Sequence, residues 1–152
     1  MYTTTFIVTA RYTITMPDAR ELFDKARELA EEDHYQEALA LLDPGIRIDA
    51  NNAIAWYNKG FILFKMGRYQ DALFAFAQAT DIDPEFDQVW SNKGVALLRL
   101  RKYPEAIRAF DKALKLNPRD QEEWCQRDLA LKAIISSAES SRPSLKDQKK
   151  LF

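Results

Sequence analysis

Two neighbouring stretches of the chain decide its fold. Residues 53–86 read AIAWYNKGFILFKMGRYQDALFAFAQATDIDPEF, and residues 87–120 read DQVWSNKGVALLRLRKYPEAIRAFDKALKLNPRD. When the two are aligned without a gap, aromatic residues coincide at a spacing of 34 residues. The aromatic columns are Trp56, Trp90 and Trp124, and Tyr35, Tyr69 and Tyr103. A fixed period between about 20 and 50 residues is typical of a chain built from stacked structural repeats.

Other columns of this alignment hold small or apolar residues. From the repeats at 19–52, 53–86 and 87–120, they are Ala26, Gly60 and Gly94; Ala38, Ala72 and Ala106; Leu42, Phe76 and Phe110; and Gly45, Ala79 and Ala113. A partial fourth unit from Gln121 keeps Trp124, but it places Asp128 in the first of these columns. A charged residue fits that column only where no partner helix packs. We therefore predict a single capping helix to about residue 138.

Each repeat is predicted to form two helices. In the second repeat, apolar residues recur at helical spacing over 53–65 and 69–81, and residues 66–68 form a turn between them. Pro84 and Pro118 cannot continue a helix, so each ends a hairpin. Gly60 and Gly94 stand inside first helices, where glycine costs about 1 kcal/mol relative to alanine. We expect them to allow a close approach of two helix backbones at the alanines 12 residues later.

This pattern resembles the tetratricopeptide repeat (TPR) family, whose motif is W-x2-L-G-x2-Y…A-x3-F…A…P. The second repeat matches it at Trp56, Gly60, Ala72, Phe76, Ala79 and Pro84, and the third at Trp90, Gly94, Leu97, Ala106, Phe110, Ala113 and Pro118. The resemblance implies an all-α fold, a right-handed superhelical solenoid of antiparallel helix hairpins. The repeat domain spans residues 17–138, with three repeats (19–52, 53–86, 87–120) and a capping helix over 121–138.

Three segments depart from the pattern. Residues 43–45 place a proline where the second helix of the first repeat should continue, so we expect a kink or an early end there. Residues 1–16 are strand-like up to Thr15, and are either an N-terminal arm or a non-native start upstream of Met16. Residues 139–152 are serine-rich and then lysine-rich, which predicts a disordered tail.

The composition excludes several kinds of site. The chain has 22 basic and 23 acidic residues, so it has no basic surface of the kind that binds nucleic acid. With Cys125 as the one cysteine and His34 as the one histidine, we expect no metal site, no cofactor and no catalytic constellation. His34 is placed in a turn. Without a membrane span or a signal peptide, we expect a cytoplasmic protein that is not an enzyme.

The resemblance implies that the first helix of each hairpin lines a concave groove, with Leu98 among its inward positions, and that the cap adds Glu122, Cys125, Gln126 and Leu129. The residues expected to bind a peptide there are Arg27, Tyr57, Asn58, Phe61, Lys65, Asn92, Val95 and Arg99. Asn58 and Asn92 occupy the same position in successive repeats, and an amide can both donate to and accept from a peptide backbone. Apolar residues beside them, flanked by basic ones, suit an extended peptide with apolar side chains.

Some members of the family clamp the C-terminal carboxylate of heat-shock chaperones with a lysine, two asparagines, a lysine and an arginine. The corresponding residues here are Phe23, Arg27, Asn58, Gln88 and Asn92. Only Asn58 matches, so the sequence does not predict a chaperone-tail clamp.

The sequence therefore predicts a protein-interaction module, a scaffold or adaptor that binds a protein or peptide partner, with no nucleic-acid or membrane partner. The alternative is a self-assembling structural module. In that case a homo-oligomer forms through the solenoid ends, through Ile134 and Ile135 on the cap, or through the N-terminal arm.

Overall fold

The computed structural model describes residues 17–140, and every regular element in this range is an α-helix. The chain divides into two compact units, one ending at Asn51 and one beginning at Asn52. The helices are α1 (Ala19–Glu31) and α2 (Tyr35–Ile48) in the first unit, and α3 (Ala53–Lys65), α4 (Tyr69–Ile82), α5 (Asp87–Arg99), α6 (Tyr103–Leu116) and α7 (Gln121–Ser140) in the second. The predicted all-α fold of helical hairpins is confirmed for this range.

The first unit is one hairpin, in which α1 packs against α2. Asp18 caps α1, since its Oδ1 accepts a hydrogen bond of 2.8 Å from the Glu21 amide, which would otherwise lack a partner. The side chains buried between the two helices include Leu22, Ala26, Ala38, Leu39, Leu42 and Ile46. They recur at the three- and four-residue spacing that the sequence pattern predicts.

The predicted early end at residues 43–45 is wrong, because α2 runs through Pro44 and ends at Ile48. A proline inside a helix removes one hydrogen bond and crowds the carbonyl four residues earlier. Even so, α2 has the same 14 residues as α4 and α6. Gly45 and Ile46, which follow the proline, are buried on the face that packs against α1, and this packing outweighs the local cost.

The glycines inside α3 and α5 make room for aromatic rings. A Cβ atom on Gly60 would lie 2.6 Å from Cδ1 of Phe76, and one on Gly94 would lie 2.7 Å from Cδ1 of Phe110. Both phenylalanines are fully buried. The expected approach of two backbones at the alanine columns is therefore corrected: each glycine accommodates the ring four residues farther along the partner helix.

Each hairpin turns through a residue with positive φ. Asp33 has φ of 61°, Gly67 of 76° and Arg101 of 58°, and the three are one repeat apart. Glycine adopts this left-handed conformation freely, whereas other residues lose about 1–2 kcal/mol. His34 follows the first of these turns and is exposed, as predicted.

Two tryptophans of the 34-residue column, Trp90 and Trp124, hydrogen-bond to the proline six residues before them. The indole Nε1 of Trp90 donates a 2.9 Å hydrogen bond to the carbonyl oxygen of Pro84, and that of Trp124 donates a 3.1 Å bond to Pro118. The bonds fix the junctions between hairpins through a backbone carbonyl, which any residue supplies, so the prolines recur because they end the preceding helix.

The capping helix α7 packs on α6 and touches α5. Its Ala130 is buried, and Asp128 is exposed, as the fourth-unit pattern requires. Arg127 Nε lies 2.5 Å from Asp111 Oδ1 on α6, which adds an ion pair across the contact. The helix extends two residues past its predicted end at 138. The predicted N-terminal arm or non-native start (1–16), and residues 141–152 of the predicted tail, lie outside the described residues.

Candidate functional site

Three helices of the second unit, α3, α5 and α7, carry the predicted groove positions. Helix α5 contacts both α3 and α7, so the three share one surface. We call this the α3–α5–α7 surface. It comprises Tyr57, Asn58, Phe61 and Lys65 on α3, Asn92, Val95, Leu98 and Arg99 on α5, and Gln126, Leu129 and Lys132 on α7.

A hydrogen bond joins α3 to α5 at the centre of this surface. Asn92 Nδ2 donates to the Tyr57 hydroxyl oxygen at 3.1 Å. Burial raises the pKa of the Tyr57 phenol, while the hydrogen bond from Asn92 opposes part of that shift. The bond fixes the Asn92 amide, leaving its carbonyl oxygen as the group that can accept from a ligand.

The Tyr57 ring belongs mainly to the packing between helices. It lies 5.1 Å from the Phe86 ring centroid, 6.2 Å from Phe76 and 6.3 Å from Phe61. These separations are typical of aromatic pairs that stabilise a core. Tyr57 therefore acts on the surface chiefly by holding Asn92.

The two predicted asparagines are not equivalent. Asn58 is half-buried, and its side-chain amide makes no hydrogen bond to any residue in the range 17–140. In contrast, the side-chain nitrogen of Asn92 donates a hydrogen bond to the Tyr57 hydroxyl. Asn58 is thus the amide with donor and acceptor both open to a ligand.

Phe61 and Lys65 form the next part of the α3 face. The Lys65 ammonium lies 5.3 Å from the centre of the Phe61 ring, within range of a cation–π interaction. Phe61 is half-buried and Lys65 is exposed. The pair offers an aromatic surface with a positive charge above it.

A groove of about 610 Å³ separates α5 from α7. Val95 and Leu98 form its apolar α5 wall, and both pack against the buried cluster around Phe110. Leu129 faces them from α7 and is 58% exposed. Arg99 and Lys132 place a positive charge on each wall. The predicted pair Val95 and Arg99 is therefore brought together in one groove.

The sequence analysis missed four residues of this groove: Tyr103, Lys132, Ala133 and Ser136. Two of them could have been predicted from the sequence. Lys132 and Ala133 occupy the positions on α7 that correspond to Leu98 and Arg99 on α5, so extending the same positions along the cap would have found them.

Arg27 stands in the first unit, on α1. Its guanidinium Nη2 lies 3.4 Å from Asp24 Oδ1, and both side chains are more than half exposed. An exposed pair of this kind contributes about 0–1 kcal/mol, so Arg27 is free to exchange it for another anion. Its part in a groove stays a prediction.

Glu123 is a second feature that the sequence analysis missed. It is only 7% exposed, and its Oε1 accepts a hydrogen bond from the Ser91 hydroxyl on α5. Burial raises the pKa of its carboxyl, the Ser91 hydrogen bond opposes this, and the charges of Asp120, Glu122 and Asp87 raise it further. The sequence pattern provided only a weak indication, because the same column holds the apolar residues Ala55 and Val89 but also Glu21, which is exposed.

The groups with reactive potential stand apart from one another. Cys125 is exposed on α7, and His34 is exposed beside Glu32, with 3.7 Å between Nδ1 and Oε2. Between residues 17 and 140, the structure holds no cluster of three or more side chains arranged to bind a metal ion. None of the helices described is long and apolar enough to span a bilayer.

Comparisons with known proteins agree with this geometry. The sequence model of the tetratricopeptide repeat family matches residues 53–86 and 88–120. A search of curated protein sequences finds no match.

Solved TPR domains share the fold. The first TPR of Spaghetti (RPAP3), bound to the HSP90 peptide SRMEEVD, has a TM-score of 0.75 at 21% identity, over 78% of this chain and 94% of that one. The TPR domain of Sgt2 from Aspergillus fumigatus has a TM-score of 0.75 at 19% identity, over 85% and 87%. The second TPR domain of human RPAP3, in complex with the HSP70 peptide SGPTIEEVD, has a TM-score of 0.71 at 24% identity, over 74% and 93%.

The matched repeats are the two hairpins α3–α4 and α5–α6. In the first hairpin the glycine and the ring exchange helices, because Gly45 of α2 lies against Phe23 of α1. Residues 53–86 and 88–120 of this chain are two tetratricopeptide repeats.

Proposed function

We propose that the α3–α5–α7 surface binds an extended segment of a partner protein, and that the chain acts as a cytoplasmic scaffold or adaptor without catalysis. The observation that supports this proposal is the groove between α5 and α7, which has apolar walls and one basic residue on each side. Its volume suits one or two large apolar side chains, and the charges suit a carboxylate beside them.

The solved relatives with bound HSP90 and HSP70 peptides support a peptide ligand. They do not support the same ligand, because four of the five clamp positions differ here and Gln88 and Asn92 stand where the clamp has cations. We therefore propose a segment anchored by apolar side chains rather than a chaperone tail held by its terminal carboxylate.

The remaining predicted groove residues contribute in different ways. Asn58 offers its open amide to the backbone of the segment, and Phe61 with Lys65 extends the binding surface along α3. Asn92 accepts through its carbonyl oxygen while Tyr57 holds it in place. Arg27 is proposed as a contact for a carboxylate on the first unit, with no part in the α3–α5–α7 surface.

The test uses a peptide selected on the full chain from a random display library, with its Kd measured by fluorescence polarisation. Leu129→Asp places a charge on the groove wall and is expected to weaken binding at least tenfold. Ile135→Asp makes the same change on the same helix at an equally exposed residue, 58%, outside the groove, and is expected to leave Kd unchanged. Equal Kd values for the two variants would refute the proposed site.

Asn58 is tested separately. Asn58→Ala is expected to weaken the same peptide about five- to tenfold, the equivalent of about one hydrogen bond. Tyr57→Phe is the control for Asn92, because it removes the helix-to-helix bond and keeps both amides. A loss of affinity in Tyr57→Phe as large as in Asn92→Ala assigns Asn92 a structural role only.

A further inference from the structure

A second, smaller cavity lies where the N-terminal ends of α5 and α7 meet the end of α6. Its volume is about 50 Å³. The polar residues that line it are Asp87, Gln88, Ser91, Asn117, Asp120 and Glu123. It is distinct from the α5–α7 groove, with which it shares no lining residue.

Glu123 is the buried wall of this cavity. Its Oε1 is held by the Ser91 hydroxyl, whereas its Oε2 is buried and has no hydrogen-bond partner within residues 17–140. The same position holds the buried apolar residues Ala55 and Val89 in the second and third repeats and the exposed Glu21 in the first, so where this position is buried elsewhere in the chain it is apolar. A buried acceptor left unpaired costs about 1–3 kcal/mol, so the chain carries a polar group that the packing does not require.

The walls are rich in acceptors. Asp87 Oδ1 accepts the Gln88 amide at 2.8 Å, and Asp120 Oδ1 accepts the amides of Glu122 and Glu123 at 3.0 and 3.2 Å. These bonds hold both carboxylates at the cavity and occupy only one oxygen of each. A ligand that fits must therefore supply hydrogen-bond donors and positive charge.

Size and chemistry narrow the ligand further. The volume of about 50 Å³ exceeds the share of one water molecule in liquid, about 30 Å³, so only a small group fits. No set of carboxylates in the described range is arranged for a metal ion. An ammonium has three donors and no acceptor, so it can donate to as many as three of these oxygens at once.

We propose that this cavity binds a single primary ammonium group, which donates a hydrogen bond to Oε2 of Glu123. The group is the end of a lysine side chain or the α-amino group of a partner protein. Asp87 and Asp120 add charge attraction at the mouth, and the Asn117 and Gln88 amide oxygens are further acceptors.

The test is a titration of the full ¹⁵N-labelled chain at pH 7.5 with methylammonium chloride, at ionic strength held constant with sodium chloride. The ¹H–¹⁵N shifts of Ser91 and Glu123 are expected to change and to saturate. Tetramethylammonium carries the same charge without a donor and is expected to give no saturable change. Glycinamide, titrated in parallel, represents an α-amino group.

Saturation with methylammonium alone supports a lysine side chain, and saturation with glycinamide alone supports an N-terminal amine. The shifts are expected to vanish in Glu123→Gln, which keeps the shape and removes the charge. They are expected to persist in Glu122→Gln, which changes an exposed neighbour on the same turn. Absence of saturation with both amines, or an equal response to tetramethylammonium, would overturn the proposal.

Discussion

Replacing Gly94 with alanine is expected to destabilise the protein even though alanine is the better helix former. In an open helix the change gains about 1 kcal/mol. Here the new Cβ would lie 2.7 Å from Cδ1 and 2.8 Å from Cζ of Phe110, a ring with no exposed surface. Overpacking costs about 1–3 kcal/mol, and a fully buried ring favours the upper part of this range, about 2–3 kcal/mol, from which the helix gain of about 1 kcal/mol is subtracted. We expect Gly94→Ala to lower the free energy of unfolding by about 1–2 kcal/mol.

A double-mutant cycle separates the two effects. Phe110→Leu removes the ring that meets the new methyl group, so Gly94→Ala in that background is expected to be neutral or stabilising by up to about 1 kcal/mol. The free energies come from urea unfolding at 25 °C, followed by circular dichroism and tryptophan fluorescence. Both probes are needed because repeat arrays do not always unfold in one step.

The critical outcome is a change in the sign of the effect of Gly94→Ala on the free energy of unfolding when the Phe110 ring is removed. If Gly94→Ala destabilises equally with and without the Phe110 ring, the glycine column has another cause. Gly60 and Phe76 provide an independent repetition one repeat earlier, where the new Cβ would lie 2.6 Å from the ring. The same change of sign is expected there.

Three further predictions follow from individual residues. Glu123→Gln is expected to raise the free energy of unfolding by about 1–2 kcal/mol at pH 7 and by little near pH 4. The pKa of the Glu123 carboxyl is raised in the folded protein, so the folded state favours the protonated carboxyl. The stability that the protonated carboxyl provides is fully present below the unfolded pKa of about 4.3, and it is lost as pH rises through the folded pKa. Urea unfolding at both pH values measures it, and a constant difference would contradict the buried charge. Pro44→Ala is expected to raise Tm, with a gain of up to about 3 kcal/mol, because it restores an amide donor inside α2. An unchanged or lower Tm in a thermal scan would mean that the proline ring supplies compensating packing. Light scattering of the full chain and of a chain beginning at Met16 tests self-association; a dimer lost on truncation is expected only if the N-terminal arm mediates it, and a monomer in both excludes that route.

The helices were predictable because one pattern is repeated. The 34-residue period fixes the same turn at Asp33, Gly67 and Arg101, and helix α3 was placed at its observed ends. The role of the glycines could not be predicted, because the sequence pattern records small residues without showing which atoms approach them. The effect of Pro44 on α2 was overestimated for a related reason. The local cost of a proline was considered alone, whereas the burial of Gly45 and Ile46 keeps the helix intact.

The candidate site was predictable only in part. Positions along α3 and α5 placed Val95 and Arg99 at one groove, but the bond between Asn92 and Tyr57 depends on side-chain directions across two helices. The burial of Glu123 could not be predicted from its column, which holds Glu21 as well as Ala55 and Val89, and neither could its contact with Ser91. Such contacts follow from packing geometry, which a sequence pattern constrains only loosely.

The location of a bound peptide tests the central claim most directly. The ¹H–¹⁵N spectrum of the full chain is recorded with and without a saturating display-selected peptide, and every amide shift is mapped on the helices. The account predicts that the largest changes fall at Asn58, Val95, Arg99 and Leu129, on α3, α5 and α7. Largest changes on the exposed faces of α4 and α6, around Phe74 and Arg108, would contradict it.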